Sequence, residues 1–205
     1  MSEFYQVHPD NPQSRVIKQA VETLYAGGIV VYPTDSTYAL GCHIGDKSAL
    51  DRIRRIRQLP AQHNFTLLCS DLSELSTYAQ VGNSAYRIIK AYTPGPYTFI
   101  LKATPEVPRR LMYPKRKTIG IRVPDHPVAQ AMLEAMGEPI MSTSLILPDT
   151  EQLVDPYEMR LKIGKLVDLI IDGGPCGLEP TTMIDLVEGV PKVIRVGKGD
   201  PDPFL

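Results

Sequence analysis

The sequence predicts an α/β domain: one mixed sheet, partly parallel and partly antiparallel, with helices packed on it. Three observations carry this. Helix-period segments alternate with short β-branched runs along the chain, which argues for parallel pairing of some strands. Near the end, V-E-G-V-P (187–191) joins two apolar runs in the manner of an antiparallel hairpin. The length, 205 residues with 43% apolar and 22% charged, suits one core spanning residues 1–205 as a single domain.

The elements follow in order. Residues 13–26 read as a helix, because Val16, Ile17, Ala20, Val21 and Leu24 recur on one face. Asn11 is placed to cap it, Pro12 suits its first turn and Gly27-Gly28 end it. Residues 29–32 (I-V-V-Y) read as a buried strand. Asp46 opens a helix to about Gln58, with Leu50, Ile53 and Ile56 inward. Strands are expected at 65–69, 97–102, 118–123 and 140–146. Helices are expected at 71–78, at 83–92 (Ala85, Ile88 and Ile89 inward), from His126-Pro127 to Gly137, and from Asp155-Pro156 to about Lys165. Three strands close the chain at 168–172, 182–187 and 192–196. The expected total is seven or eight strands and six helices.

Composition narrows the function classes. No apolar run approaches the roughly 20 residues a membrane-spanning helix needs. The polar start M-S-E-F-Y-Q has no signal-peptide character, so a cytoplasmic protein is expected. Three cysteines without C-x-x-C spacing argue against a disulfide framework or a zinc site. The net charge is −1, yet Arg52, Arg54, Arg55 and Arg57 crowd one segment. Between Lys102 and Arg122, seven basic residues face one acid, Glu106. Such local charge can focus positive potential in a cleft.

Five segments could carry chemistry. P-T-D-S-T-Y-A-L-G (33–41) leaves the end of a buried strand, where α/β sheets place ligands; it also reads as a polar turn with Asp35 as a cap. Arg57, at a helix end, could hold phosphate oxygens in bidentate fashion or simply offset the helix dipole. T-P-G-P-Y-T (93–98) is a rigid turn presenting Thr98. In T-I-G-I-R, Thr118, Gly120 and Arg122 share one strand face, which suits an anion or a charged edge strand. Ser142 and Ser144 share a face of an otherwise apolar strand, where buried hydroxyls need partners. Thr181 and Arg195 sit on the closing strands. Walker-A, Rossmann, nucleophile-elbow and zinc-deaminase patterns are all missing.

Taken in order from about residue 13 to 200, these segments resemble the YrdC/YciO family of threonylcarbamoyl-AMP synthases and their relatives. H-P-D-N-P, H-N-F-T-L, R-K-T-I-G-I-R-V-P and the final P-F-L resemble its YciO branch in particular. The resemblance implies a YrdC/RibB-like twisted mixed sheet with a basic concave surface. Active members of the family convert ATP, bicarbonate and L-threonine to threonylcarbamoyl-AMP for tRNA modification. By motif matching, Arg57, Asn64, Thr118, Ser142, Ser144 and Arg195 would contact the nucleotide (ATP or AMP). Thr34, Tyr38, Arg122 and Thr181 would serve a threonine-like substrate. Mg²⁺ would arrive with ATP, met at most by Ser144, and no tightly bound cofactor is expected. RNA, either tRNA or double-stranded, is a further expected partner, with Arg52, Arg55, Arg109, Arg110, Lys115, Arg116 and Lys117 as candidate contacts; DNA and membranes are not expected partners.

The departures from the family pattern are specific. Active synthases carry K-x-R where Arg57-Gln58-Leu59 stands here, and S-x-N where Ser144-Leu145-Ile146 stands. Cys69 replaces a usual histidine, which would suit an altered second-substrate pocket. The expectation is a nucleotide- or RNA-binding protein with weak synthase activity at most. A working synthase and a related ATP-using ligase with another acid substrate are the alternatives.

Overall fold

The alternation of helix-period and β-branched segments resolves, in a computed structural model describing residues 1–205, into ten strands and six α-helices. The order is β1 (Glu3–Gln6), α1 (Ser14–Tyr25), β2 (Val30–Tyr32), β3 (Ala39–His43), α2 (Lys47–Arg57), β4 (Thr66–Leu68), α3 (Leu72–Tyr78) and α4 (Asn83–Tyr92). Then come β5 (Tyr97–Lys102), β6 (Thr118–Arg122), α5 (Pro127–Met136), β7 (Ile140–Ser144), α6 (Pro156–Ile163), β8 (Leu169–Asp172), β9 (Thr182–Asp185) and β10 (Lys192–Arg195).

All ten strands form one sheet in the order β1-β8-β2-β3-β7-β4-β6-β5-β9-β10. Pairing is mixed. β1/β8, β2/β8, β4/β6 and β5/β9 run parallel, and the remaining neighbours run antiparallel. The closing β9–β10 pair is the antiparallel hairpin expected from V-E-G-V-P, with a register shift between Val193 and Arg195.

Every segment read from the sequence as a helix or strand holds one, but two strands lie outside that reading. β1 pairs with β8 about 166 residues away, so nothing local marks it. β3 follows directly on the polar turn 33–37 and contains Gly41, which disguised it as loop. Asn11 does not cap α1. Its backbone N–H, like that of Asp10, donates to His8 Nδ1, and the helix begins past Gln13, which makes no side-chain cap. Asp46, Asp71, His126 and Asp155 do cap helices α2, α3, α5 and α6, each accepting a first-turn N–H. Ile56 and Ile88 are only partly buried against the core.

Alternation along the strands divides the core in two. One face of the sheet packs Val31, Leu40, Leu67, Phe99, Ile121 and Met141 against α2, α3, α4 and α6. The other face packs Val30, Tyr32, Ala39, Ile140 and Ile171 against α1 and α5. Burial of each such aliphatic side chain contributes about 1.5–3 kcal/mol. On this second face α1 and α5 reach only as far as β4, through Leu68. Beyond it, no helix contributes a core residue to the same face of β6, β5 and β9.

Candidate functional site

The uncovered stretch is a cleft, and strand register decides what lines it. Ser142 stands opposite Gly41 on one side and Thr66 on the other, and Thr66 stands opposite Gly120. Leu68 is opposite Arg122, and Ala39 is opposite Ser144. Side chains of one parity therefore bring Ser142, Ser144, Thr66, Thr98, Arg122 and Met183 to one concave wall, joined by Thr37, Arg57, His63, Asn64, Ile146, Thr181 and Arg195. Gly120 makes room for its neighbours rather than for a ligand. A Cβ there would lie 2.8 Å from Thr66 Oγ1 and 3.1 Å from Thr98 Cγ2.

Three guanidinium groups converge. Arg57 leaves the C-terminus of α2 and donates to Thr143 Oγ1 at 2.5 Å and to the Ser144 carbonyl at 2.6 Å. Arg195 donates to the Thr181 carbonyl at 2.9 and 3.1 Å and to Thr181 Oγ1 at 3.1 Å. Arg122 is buried in an ion pair with Asp35, whose other oxygen accepts the Asp125 N–H at 3.1 Å. Burial, then Arg195 nearby, disfavours the charge on Arg57; burial, then Arg122, does so for Arg195. Arginines nevertheless remain charged at neutral pH. The Nε atoms of Arg57 and Arg122 and the Thr118 hydroxyl are buried without partners. Unused buried donors of this kind are costly.

His63 was not singled out as a site residue, although H-N-F-T-L contains it. Burial, then Arg57, Arg54 and Arg195 in turn, push its pKa down to about 4. Thr66 and Met183 were also missed; only the register of distant strands brings them to the wall.

The structure brings together Arg57, Asn64, Ser142, Ser144, Arg122, Thr181 and Arg195 of the expected site residues. Three others lie outside the wall. Tyr38 faces the helix-covered core, where its hydroxyl donates to the Gly174 carbonyl and accepts the Gly173 N–H. Parity explains this: Tyr38 shares its face with Leu40 and Cys42, not with Ala39. Thr34 is buried in the turn, donating to the Thr37 carbonyl. Thr118 is buried one pleat beyond Gly120 on the cleft face of β6, with its hydroxyl free.

Two of the departures change meaning. Ile146 lines the cleft, so an apolar side chain stands in its wall. Leu59 instead packs against the core, because Gln58 adopts a left-handed conformation that turns the chain. Cys69 lies in the core on the covered face, its thiol pushed well up by burial, so it cannot shape a second-substrate pocket.

Of the two basic segments, only Arg57 and Arg122 reach the cleft wall. Arg52 pairs with Asp168 and donates to the Leu166 carbonyl, and Arg55 donates to the Asp51 carbonyl of its own helix. Arg110 donates to the Gly45 carbonyl at 2.6 Å. Arg116 is held by Asp185. Arg109 and Lys117 line a separate groove with Gln80, Thr104 and Met112, and Lys115 is exposed. No group of three His, Cys, Asp or Glu side chains is placed to hold a metal ion. No helix is long and apolar enough to cross a membrane.

An open half-face of a mixed sheet, with three arginines and a row of hydroxyls, defines an α/β protein with a basic, hydroxyl-lined cleft. The family model described as telomere recombination, covering Sua5, YciO and YrdC proteins, matches residues 22–197, and the chain belongs to that family. It is 62% identical to the YciO protein of Escherichia coli K12 over the whole of both chains. The crystal structure of E. coli YciO superposes with a TM-score of 0.97 over all of both chains. A threonylcarbamoyl-AMP synthase of Stenotrophomonas maltophilia is 30% identical, over 84% of this chain and 95% of its own. The P. abyssi Sua5 structure complexed with L-threonine matches 96% of this chain and 58% of its own, at 26% identity and a TM-score of 0.87.

Proposed function

We propose that the cleft binds a nucleotide, ATP or AMP, and that the protein has at most weak threonylcarbamoyl-AMP synthase activity. The observation that carries this reading is the convergence of Arg57, Arg122 and Arg195 against a single carboxylate, Asp35. Phosphate oxygens would match that charge. Asn64, Ser142 and Ser144 add polar contacts along the same wall. Mg²⁺ fits this donor set only as a passenger of ATP: Ser144 offers a hydroxyl, and Asp35 is taken by Arg122. The ion would neutralise phosphate charge when bound. A cytoplasmic location is part of the same proposal.

Weak turnover follows from Ile146. In the synthase reaction a carbamate oxygen attacks the α-phosphorus and pyrophosphate leaves, so charge grows on the leaving group. Losing one preorganised polar contact to developing charge typically costs about 10²–10³ in rate. Leu59 contributes less to this argument than Ile146, since it lies outside the wall.

The synthase itself is the second reading, favoured by Arg122 and Thr181 beside the hydroxyl row and by the homology to threonylcarbamoyl-AMP synthases. A ligase using another acid is a third. RNA, tRNA or double-stranded, would meet a different surface, where Arg109, Lys115 and Lys117 are exposed. Its affinity would then fall steeply with salt.

The test is calorimetric titration with ATP and AMP, followed by pyrophosphate release from ATP, Mg²⁺ and bicarbonate with and without L-threonine. Nucleotide binding with release far below that of an active synthase is the expected result. Threonine-dependent release at a comparable rate establishes the synthase, and the absence of any nucleotide binding overturns the reading.

A further inference from the structure

His63 is placed where a positively charged group is least expected. It stands in the cleft wall with Arg57 and Arg195. Its ring meets the edge of Phe65, with centroids 5.1 Å apart at 72°. The guanidinium of Arg54 lies over the Phe65 ring, 4.6 Å from its centroid. The charged groups that act on His63 come from α2 (Arg54 and Arg57) and from β10 (Arg195), and all three are cations. No hydrogen-bond partner or carboxylate compensates the imidazole. Without ligand, its neutral form is enforced by burial and by those three charges.

A polyanion in the cleft reverses this balance. Phosphate oxygens between Arg57 and Arg195 would cancel the positive field acting on the ring and offer it an acceptor. We propose that His63 takes up a proton when a polyphosphate binds and becomes the fourth cation of the site. The cleft is therefore a proton-coupled anion site, selective for ligands of high negative charge over singly charged ones. This inference rests on the nucleotide reading, and it assigns a role to the histidine of H-N-F-T-L. Arg57 and Arg195 bind at any pH, whereas His63 contributes only when the anion can hold its proton in place.

The chemistry balances simply. One proton moves from buffer to an imidazole nitrogen, and that N–H donates to a phosphate oxygen. If the bound imidazole returns to its ordinary range near 6.5, uptake is about 0.8 proton at pH 6 and falls close to zero at pH 8. Because ATP has its own titrating phosphate, the decisive quantity is a difference between proteins.

The experiment titrates ATP into the wild-type protein and into His63→Gln at pH 6 and pH 8, in two buffers of different ionisation enthalpy. Glutamine keeps a donor but cannot be charged. Wild type is expected to take up about 0.8 proton more than the variant at pH 6 and none more at pH 8. Its advantage in ATP affinity is expected to be about fourfold at pH 6 and to vanish at pH 8. The advantage should also shrink for AMP. Equal proton uptake and parallel pH profiles in the two proteins overturn the proposal while leaving nucleotide binding intact. Failure of both proteins to bind ATP removes the nucleotide reading itself. An NMR titration of the wild-type imidazoles gives a second route that needs no variant. A His63 signal that stays neutral in saturating ATP at pH 6 overturns the proposal; a shift to the imidazolium position supports it.

Discussion

The two halves of the sheet's second face belong to one sheet and follow the same pleat, yet one is sealed and the other open. From β1 to β7 the outward positions carry Val30, Tyr32, Ala39, Ile140, Leu169 and Ile171, and α1 and α5 close over them. From the end of β7 to β9 the equivalent positions carry Ser142, Ser144, Thr66, Thr98 and Arg122. The change occurs within a single strand, between Ile140 and Ser142 of β7. Side-chain chemistry at alternate positions thus decides where helices can dock and where a ligand can. Tyr32 and Ser142 mark the seam, sharing a buried hydrogen bond of 2.6 Å.

That comparison can be broken most sharply at Arg122. In the open half, stability rests on charge compensation. Arg122→Ala strands Asp35, whose side chain is only 10% exposed, and is expected to cost about 3–5 kcal/mol in urea unfolding. The double variant Arg122→Ala/Asp35→Ala should recover much of that loss; if it does not, the pair does not act as a unit. In the sealed half, stability rests on packing. Leu133→Ala on α5, fully buried, should cost about 2–5 kcal/mol while leaving ATP affinity unchanged. A comparable loss of ATP affinity in that variant would show that the halves are not separable.

Arg195→Ala sharpens the contrast from the other side. It is expected to weaken ATP binding about 10- to 100-fold in calorimetry, with a stability change within about 1 kcal/mol. The smallest effect concerns pH. His63 has a folded pKa of about 4 against an ordinary 6.5, so the folded state binds fewer protons than the unfolded one between these values. Its contribution to stability is therefore fully present above pH 6.5 and is lost as pH falls towards 4. The size of the loss is reduced by solvent screening in the open cleft. His63→Gln should flatten that part of the denaturation profile relative to wild type; an unchanged slope would show that burial and the neighbouring arginines do not hold the ring neutral.

Legibility in the sequence followed the range of the interactions. Helices with local caps, such as α2 behind Asp46 and α5 behind His126, could be read directly. So could the hairpin, whose signal spans a few residues. β1 could not, because its partner β8 lies at the far end of the chain. The hydroxyl and arginine motifs marked most of the cleft once matched to the family pattern; residue type alone left a structural reading open for each. The side of the sheet taken by Tyr38 and Cys69 depends on a register the sequence does not display. Thr66 and Met183 needed the same missing information. Whether the basic clusters converge could not be read along the chain; the fold sends Arg57 and Arg122 to the cleft and ties Arg52, Arg110 and Arg116 to acceptors elsewhere.

Arg195 belongs to β10, which has a neighbour on one side only, and Ile194 and Val196 beside it are exposed. An edge strand of four residues with a register shift is among the first parts of a sheet to open in local fluctuations, and its amides exchange with solvent early. Arg57, by contrast, is tied to β7 in the middle of the sheet. The cleft therefore joins a persistent jaw to a fraying one. A ligand bridging the two would slow deuterium uptake in β10 far more than in β7, so the strand that holds the site least firmly is also the one that reports its occupancy.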